Sequence, residues 1–215
     1  MMKSLLSRMF CILFVGLVLG GTLISAAGAD EIPVAIARDG SVVLKSLDTH
    51  QGLSIVNTAT GKEIKISDAP GAGYFASLSP DAKKVCFKMI TVEPDGSRSF
   101  VPAIYSVATG KTIALSEPSV DAGTPVVSAD GNIAFTVGKT LTVLDAKMNV
   151  LGTFDLGHAV NLLGLSPDGS QIAYNNKEEQ IALCNLTSGE SRVLTDGSGA
   201  FWNPQFSPDG NSLLV

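Results

Sequence analysis

Five copies of one short turn divide this chain into repeating units. Each copy consists of an apolar run, an Asp that usually lies within Ser-Pro-Asp-Gly, and a second apolar run. The Asp residues are Asp39, Asp81, Asp130, Asp168 and Asp209, at spacings of 42, 49, 38 and 41 residues. A period of about 40 residues with four short strands per unit is typical of β-propellers. The repeat therefore predicts an all-β propeller made of four-stranded antiparallel blades.

The unit around Asp168 shows how the sequence encodes a blade. Pro167 presets its own φ near −65°, and Gly169 accepts the positive φ that ends such a turn. The strands of this unit are expected at about 159–165, 171–176, 180–186 and 191–195, from their β-branched, aromatic and aliphatic residues. The same pattern predicts four complete blades, two strands of a fifth near its Asp209 turn, and no helix after residue 30.

The fifth unit has sequence for only two strands, at about 202–207 and 211–215. An open ring exposes strand edges and an apolar flank. We therefore expect the propeller, residues 30–215, to be incomplete at its C-terminus and the chain to be a truncated form of a longer one. A lone Trp, Trp202, enters the first of these strands, where core packing is the simpler interpretation and an exposed aromatic at the mouth of the axial channel is the alternative.

The spacing of 49 residues identifies an insertion in the second unit. Residues 91–100 carry an additional turn, so two strands are lengthened into a protruding hairpin. Loops of this kind are either tolerated extensions or binding elements, and both interpretations stay open. The candidate binding residues at the turn are Glu93, Pro94, Asp95, Gly96 and Arg98.

Residues 1–29 have the pattern of a secretory signal peptide. Lys3 and Arg8 precede an apolar run, and Ala27-Gly28-Ala29 matches a cleavage site. The alternative is an uncleaved membrane anchor, because about 20 uncharged residues could span a bilayer. The pattern predicts a periplasmic or extracellular protein with no stable membrane span after cleavage.

The net charge of the chain indicates which classes of partner to expect. The chain has 15 basic and 20 acidic residues and a net charge of −5. Removal of the signal segment takes away two basic residues, so the remaining chain is more acidic still. An acidic surface repels phosphate backbones and anionic membranes. Nucleic-acid binding is therefore disfavoured, and the expected partner is a protein or another envelope component.

The residues that most often carry chemistry are few and scattered. Cys86 and Cys184 lie in predicted strands of different blades, where they are interpreted as small buried hydrophobes. His50 and His158 are expected to be surface turn residues. The repeated Asp residues occupy turn positions that local hydrogen bonding explains. No spacing indicates a metal site, a cofactor site or a catalytic set.

The repeats resemble the WD40-like repeats of TolB-type propellers. Ser166-Pro167-Asp168-Gly169 followed by Gln171-Ile172-Ala173-Tyr174 carries the resemblance, as does Phe206-Ser207-Pro208-Asp209-Gly210. Looser copies stand at the turns of Asp81 and Asp130. The resemblance implies the fold over nearly the whole chain after residue 30. TolB-type proteins also have an α/β domain before the propeller, and we expect this chain to lack it.

Three functional hypotheses follow from the sequence. The first is a non-enzymatic binding or assembly module of the cell envelope. The second is the N-terminal propeller of a secreted prolyl oligopeptidase-like hydrolase, although no Gly-x-Ser-x-Gly nucleophile motif of such an enzyme is present. The third is an enzyme that uses the propeller channel, such as a lyase or a glycosidase. The first is favoured because no catalytic constellation is recognisable.

Overall fold

The chain folds into a β-propeller. The computed structural model describes residues 31–158, 160–197, 204–207 and 209–214. Within these residues the regular structure consists of four four-stranded antiparallel sheets and one two-stranded sheet, without helix. The all-β, four-blade architecture predicted from the repeats is confirmed. The signal-peptide prediction and Trp202 lie outside the described residues.

The blades follow one another along the chain. Blade 1 contains β1 (Glu31–Ile36), β2 (Val42–Leu47), β3 (Leu53–Asn57) and β4 (Glu63–Ser67). Blade 2 contains β5 (Ser77–Leu78), β6 (Lys84–Val92), β7 (Arg98–Ser106) and β8 (Lys111–Ala114). Blade 3 contains β9 (Val126–Val127), β10 (Ile133–Val137), β11 (Thr140–Leu144) and β12 (Val150–Asp155). Blade 4 contains β13 (Leu162–Leu165), β14 (Gln171–Asn175), β15 (Ile181–Asn185) and β16 (Ser191–Val193), and the fifth sheet contains β17 (Gln205–Phe206) and β18 (Leu213–Leu214).

The strand order assigns every connection to one of two faces. Strands pair in sequence order within each blade, so successive connections alternate between the two ends of the sheet. The loops between first and second strands, and between third and fourth strands, form what we call the turn face, which holds the repeated Asp residues. The loops between second and third strands, together with the links between blades, form the opposite face, which we call the hairpin face because the insertion lies there.

The first strand of each blade lies innermost. β1 contacts β5, and β13 contacts both β9 and β17. The repeat pattern predicts first strands at about 73–79 in the second unit and 123–128 in the third, but β5 covers only Ser77–Leu78 and β9 only Val126–Val127. Phe75 has positive φ, so the chain makes a turn at 73–75 where an extended strand is predicted.

Apolar side chains fill the space between consecutive blades. Leu44 of blade 1 packs with Phe87 of blade 2 in one cluster. Cys86 of blade 2 packs with Phe135 of blade 3 in the next. Leu141 of blade 3 packs with Tyr174 of blade 4 in the last. Each blade from the second to the fourth therefore presents an aromatic ring from its second strand to the blade before it.

Blade 1 departs from this pattern on the face opposite to the one that packs on blade 2. The position that corresponds to Phe87, Phe135 and Tyr174 is occupied by Lys45, which pairs across the strands with Ser54. Lys45 Nζ lies 3.2 Å from Glu31 Oε2, and both side chains are partly exposed. A shallow cleft of about 260 Å³ opens beside this ion pair. At this position the face is therefore polar where the other blades carry an aromatic ring.

Successive turns on the turn face touch one another. Lys84 Nζ donates a hydrogen bond of 3.4 Å to the carbonyl of Gly131. A Cβ atom at Gly169 would lie 2.6 Å from Asn132 Nδ2, so the two turns are in close contact. From blade 2 onward, successive turns are thus in contact at these residues.

Candidate functional site

The insertion forms a long hairpin arm on blade 2. β6 and β7 pair from Lys84↔Ser106 to Val92↔Arg98, over nine residues on each strand. The corresponding strands of blades 3 and 4 pair over five. The arm therefore extends past its neighbours by about four residues, or about 13 Å at the rise of a β-strand. Residues 91–98 are all exposed.

The tip of the arm is an ordered turn. The amide of Gly96 donates to Glu93 O at 2.9 Å, and the amide of Glu93 donates to Ser97 O at 2.8 Å. Gly96 has a φ of 83°, which a residue with a side chain rarely adopts. Asp95 Oδ1 accepts the amide of Ser97 at 2.8 Å, and hydrogen bonding by Ser97 lowers the pKa of this carboxyl. The tip thus presents an ionised carboxylate on a fixed backbone.

The arm is supported along both edges. The backbones of Phe100 and Ser119 exchange two hydrogen bonds of 2.8 and 3.0 Å. Lys88 Nζ lies 4.8 Å from the centre of the Phe100 ring, and burial lowers the pKa of this lysine. Toward blade 1, Ile90 Cδ1 reaches the backbone of Gly71, where a Cβ would be only 3.0 Å away. The arm is therefore a braced projection.

The structure brings the five candidate binding residues together at this tip. Glu93, Pro94, Asp95 and Gly96 form the turn, and Arg98 opens β7 opposite Val92. Val92 is 48% exposed, so an apolar side chain stands beside the charged ones. The spacing of the repeats located the arm correctly. A binding role for its residues stays a prediction.

A second cluster on the hairpin face was not found from the sequence. The rings of His50 and Tyr74 meet edge to face with centroids 4.9 Å apart. The rings of Tyr74 and Phe75 meet in the same way at 4.6 Å. Tyr74 is 49% and Phe75 40% exposed. We call these three residues the aromatic cluster. Its members come from two different connections, so no local sequence pattern places them together.

The backbone of the aromatic cluster is unusual. His50 and Phe75 each have a φ of 58°, in the left-handed region. For a bulky residue this conformation costs on the order of 1–3 kcal/mol and needs support from its surroundings. Part of that support is a hydrogen bond of 3.1 Å from the amide of Gly73 to the carbonyl of His50. Gly73 in turn lies so close to Ser46 that a Cβ would be 2.2 Å from its hydroxyl oxygen.

The surface position predicted for the two histidines needs correction. His50 and His158 are both partly buried. Nδ1 of His50 and Nε2 of His158 are buried without a hydrogen-bond partner among the described residues. His50 is drawn inward because its ring packs against Tyr74, a contact between residues 24 positions apart.

The repeated Asp residues have a structural role in their turns. Ser79 Oγ donates to Asp81 Oδ1 at 2.7 Å, and Ser207 Oγ donates to Asp209 Oδ1 at 2.5 Å. The hydrogen bond from Ser207 lowers the pKa of Asp209. These carboxylates already accept hydrogen bonds from serine hydroxyls in their own turns. They also stand in separate blades.

Both described cysteines are unpaired and buried, as the sequence indicated. Burial raises the pKa of Cys86 to about 12 and also raises the pKa of Cys184. A thiol in this state is a poor nucleophile. Within the described ranges, His, Cys, Asp and Glu side chains do not form a group of three or more that could hold a metal ion. The same residues include no helix that could cross a membrane.

The two faces differ in charge. Among the described residues, the connections of the hairpin face carry nine carboxylates and two lysines. Those of the turn face carry seven carboxylates and four basic side chains, and most of its Asp residues accept hydrogen bonds within their own turns. The hairpin face is therefore the more acidic surface, and it will attract positively charged groups.

Solved structures of other proteins share this propeller fold. TolB from Acinetobacter baumannii matches with a TM-score of 0.61 and 20% identity, over 85% of this chain and 47% of that chain. A putative TolB from Agrobacterium tumefaciens matches with a TM-score of 0.60 and 17% identity, over 85% and 68%. The fold is that of a TolB-like β-propeller. The chain spans about half the length of the Acinetobacter protein.

The TolB-like fold is shared with enzymes. An oligogalacturonate lyase in complex with manganese matches with a TM-score of 0.51 and 15% identity, over 74% of this chain and 51% of that chain. No sequence family model matches the chain. At these identities the similarity establishes the fold, and a shared propeller does not distinguish a binding protein from an enzyme.

Proposed function

We propose that this chain is a secreted, periplasmic or extracellular propeller that binds a protein or another envelope component through its hairpin face, without catalysing a reaction. The observation that carries the proposal is the braced arm of blade 2. It projects beyond the neighbouring loops, and its tip combines fixed backbone, carboxylates, Arg98 and the exposed Val92. An exposed, ordered projection on a rigid scaffold is a common way to present a binding surface.

Two further observations support a binding role. The described cysteines are buried, and the repeated Asp residues accept hydrogen bonds within their own turns. Neither set of side chains is therefore available as a reactive group. The two TolB matches support the assignment to the cell envelope, as does the signal-like segment at residues 1–29. The alternative from the sequence is that the chain is the N-terminal propeller of a secreted prolyl oligopeptidase-like hydrolase.

The arm can be shortened without changing its register. Deleting residues 91–92 together with 98–99 removes the facing pairs Thr91↔Ser99 and Val92↔Arg98 but keeps the turn. Because strand alternation has a period of two, the remaining side chains keep their faces. The bridge between Phe100 and Ser119 is also retained.

The experiment compares immobilised wild-type and shortened proteins for capture of envelope proteins and for site-specific photo-cross-linking from position 95. We expect the shortened arm to lose specific capture while its thermal unfolding midpoint stays close to that of the wild type. Asp95→Asn is the matched control for the turn, since Asn still accepts the Ser97 amide. Equal capture by the wild-type and shortened proteins would show that the arm is not the binding element.

Catalysis is tested separately. The lyase among the matches makes cleavage of an acidic oligosaccharide the first activity to assay, followed by peptide and ester hydrolysis. We expect no turnover above the buffer control. Turnover that persists in the shortened-arm protein would contradict the non-enzymatic proposal.

A further inference from the structure

The aromatic cluster has the features of a binding surface in its own right. Tyr74 and Phe75 are large apolar residues with 49% and 40% of their surface exposed, next to each other on the hairpin face. Exposed aromatic rings in contact with one another are typical of interaction sites. Because each ring meets the next edge to face, one face of a ring can remain open to a ligand.

The cluster is held rigidly. The loop of His50 and the link that carries Tyr74 and Phe75 are joined by the hydrogen bond between Gly73 and His50. Two of the three rings are carried on backbone of positive φ, at His50 and Phe75. A ring that is fixed before binding loses less conformational entropy when a ligand arrives. The cluster is therefore pre-organised.

Carboxylates near the aromatic cluster indicate that its ligand carries a positive charge. Asp48 lies in the same loop as His50, and Asp68, which forms an exposed ion pair with Lys65, begins the link that leads to Tyr74. The arm contacts this link through Ile90 and Gly71, and the carboxylates at the tip of the arm lie on the same hairpin face. A positively charged group gains both hydrogen bonds and charge complementarity from these carboxylates, whereas a neutral sugar gains hydrogen bonds alone.

We propose that the aromatic cluster receives an arginine side chain from a basic segment of the partner protein. A guanidinium group stacks on aromatic faces and pairs with carboxylates at the same time, which an ammonium does less well. The inference rests on the proposed binding function and adds the chemistry of the partner to it. The arm supplies reach, and the cluster supplies the recognition of the cation.

Two substitutions remove a ring and also relieve the backbone. Phe75→Gly and His50→Gly place glycine where φ is 58°, so loss of the fold is not expected from either. Ala82→Gly is the matched control, because Ala82 has a φ of 55° on the opposite face and carries no ring. All three variants should keep or raise the thermal unfolding midpoint.

The probe is a fluorescently labelled peptide of Arg-Gly-Ser repeats, titrated at an ionic strength of about 0.15 M and followed by anisotropy. Lys-Gly-Ser and Gln-Gly-Ser peptides and an oligomer of N-acetylglucosamine are the comparison ligands. We expect the arginine peptide to bind most tightly, and Phe75→Gly to weaken it about tenfold. Ala82→Gly should bind as the wild type does.

Several results would overturn the proposal. Equal binding of the arginine and lysine peptides, or no loss in Phe75→Gly, would show that charge alone attracts the probe. Ring-dependent binding of the oligosaccharide without binding of the peptide would assign the cluster to a glycan. The outcome is separate from that of the arm experiment: capture that depends on the arm but not on Phe75 would retain the proposed function and reject this inference.

Discussion

Ser166 and Asp168 close their turn through one shared hydroxyl. Ser166 Oγ donates to Asp168 Oδ1 at 2.6 Å and accepts the backbone amide of Gln171 at 2.9 Å. Ser166 is buried, so Asp168 is the acceptor that satisfies its hydroxyl. Asp168 also accepts the amide of Ser170 at 3.0 Å. Because Ser166 and Ser170 donate to the ionised form, they lower the pKa of Asp168.

Acid should destabilise the propeller through these turns. The pKa is lowered at Asp168 and also at Asp39 and Asp209. A carboxyl whose pKa is lower in the folded state contributes its full stability above its unfolded pKa of about 4, and this contribution is lost as pH falls through the folded pKa. We expect the thermal unfolding midpoint to fall steadily below about pH 4. Asp168→Asn, which does not titrate, should flatten the profile, and an unchanged profile would contradict the assignment.

Glycine is required at the turn of blade 4 and absent from the turn of blade 2. Gly169 has a φ of 71°, and its equivalent in blade 2 is Ala82 with a φ of 55°. Gly169→Val should destabilise by about 1–3 kcal/mol because of backbone strain and the contact with Asn132. Ala82→Gly should stabilise by about 0.5–1 kcal/mol. Urea unfolding measures both free energies, and destabilisation by Ala82→Gly would be inconsistent with the strain.

The polar face of blade 1 should limit self-association. Lys45 occupies the position that holds Phe87, Phe135 or Tyr174 in the other blades, and it forms an exposed ion pair that contributes at most about 1 kcal/mol. Lys45→Phe should join Val43 and Val56 into an apolar patch and promote oligomers. Sedimentation velocity measures the monomer fraction, with Lys45→Gln as the control that removes only the charge. Identical profiles for the two variants would count against this role of Lys45.

The buried thiols should resist modification. Cys86 has no exposed surface, and its pKa is raised to about 12 by burial. Only a small fraction of this thiol is thiolate at neutral pH, so iodoacetamide should not label it in the native protein. Mass spectrometry of Cys86 and Cys184 peptides before and after denaturation tests this. Native labelling at either site would reveal local opening of the blade.

The sequence predicted the features that depend on local rules. The Asp turns located the blade boundaries, and the positive φ predicted for Gly169 is confirmed. The arm followed from one anomalous spacing. The aromatic cluster could not be predicted, because His50 meets Tyr74 only after two connections fold onto each other. For the same reason the sequence predicts strand at 73–75, where the chain forms a turn in which Gly73 lies against Ser46.

The turn-to-turn contacts also bear on how the chain reaches its fold. Every strand of a complete blade pairs with its neighbour in sequence, and the turns of blades 3 and 4 touch where Gly169 lies against Asn132. Between blades, contacts join consecutive units, as β1 contacts β5 and β13 contacts β9, so each blade packs on the one before it. A finished blade then serves as the template on which the following one docks. Folding can advance in the direction of synthesis, one blade at a time.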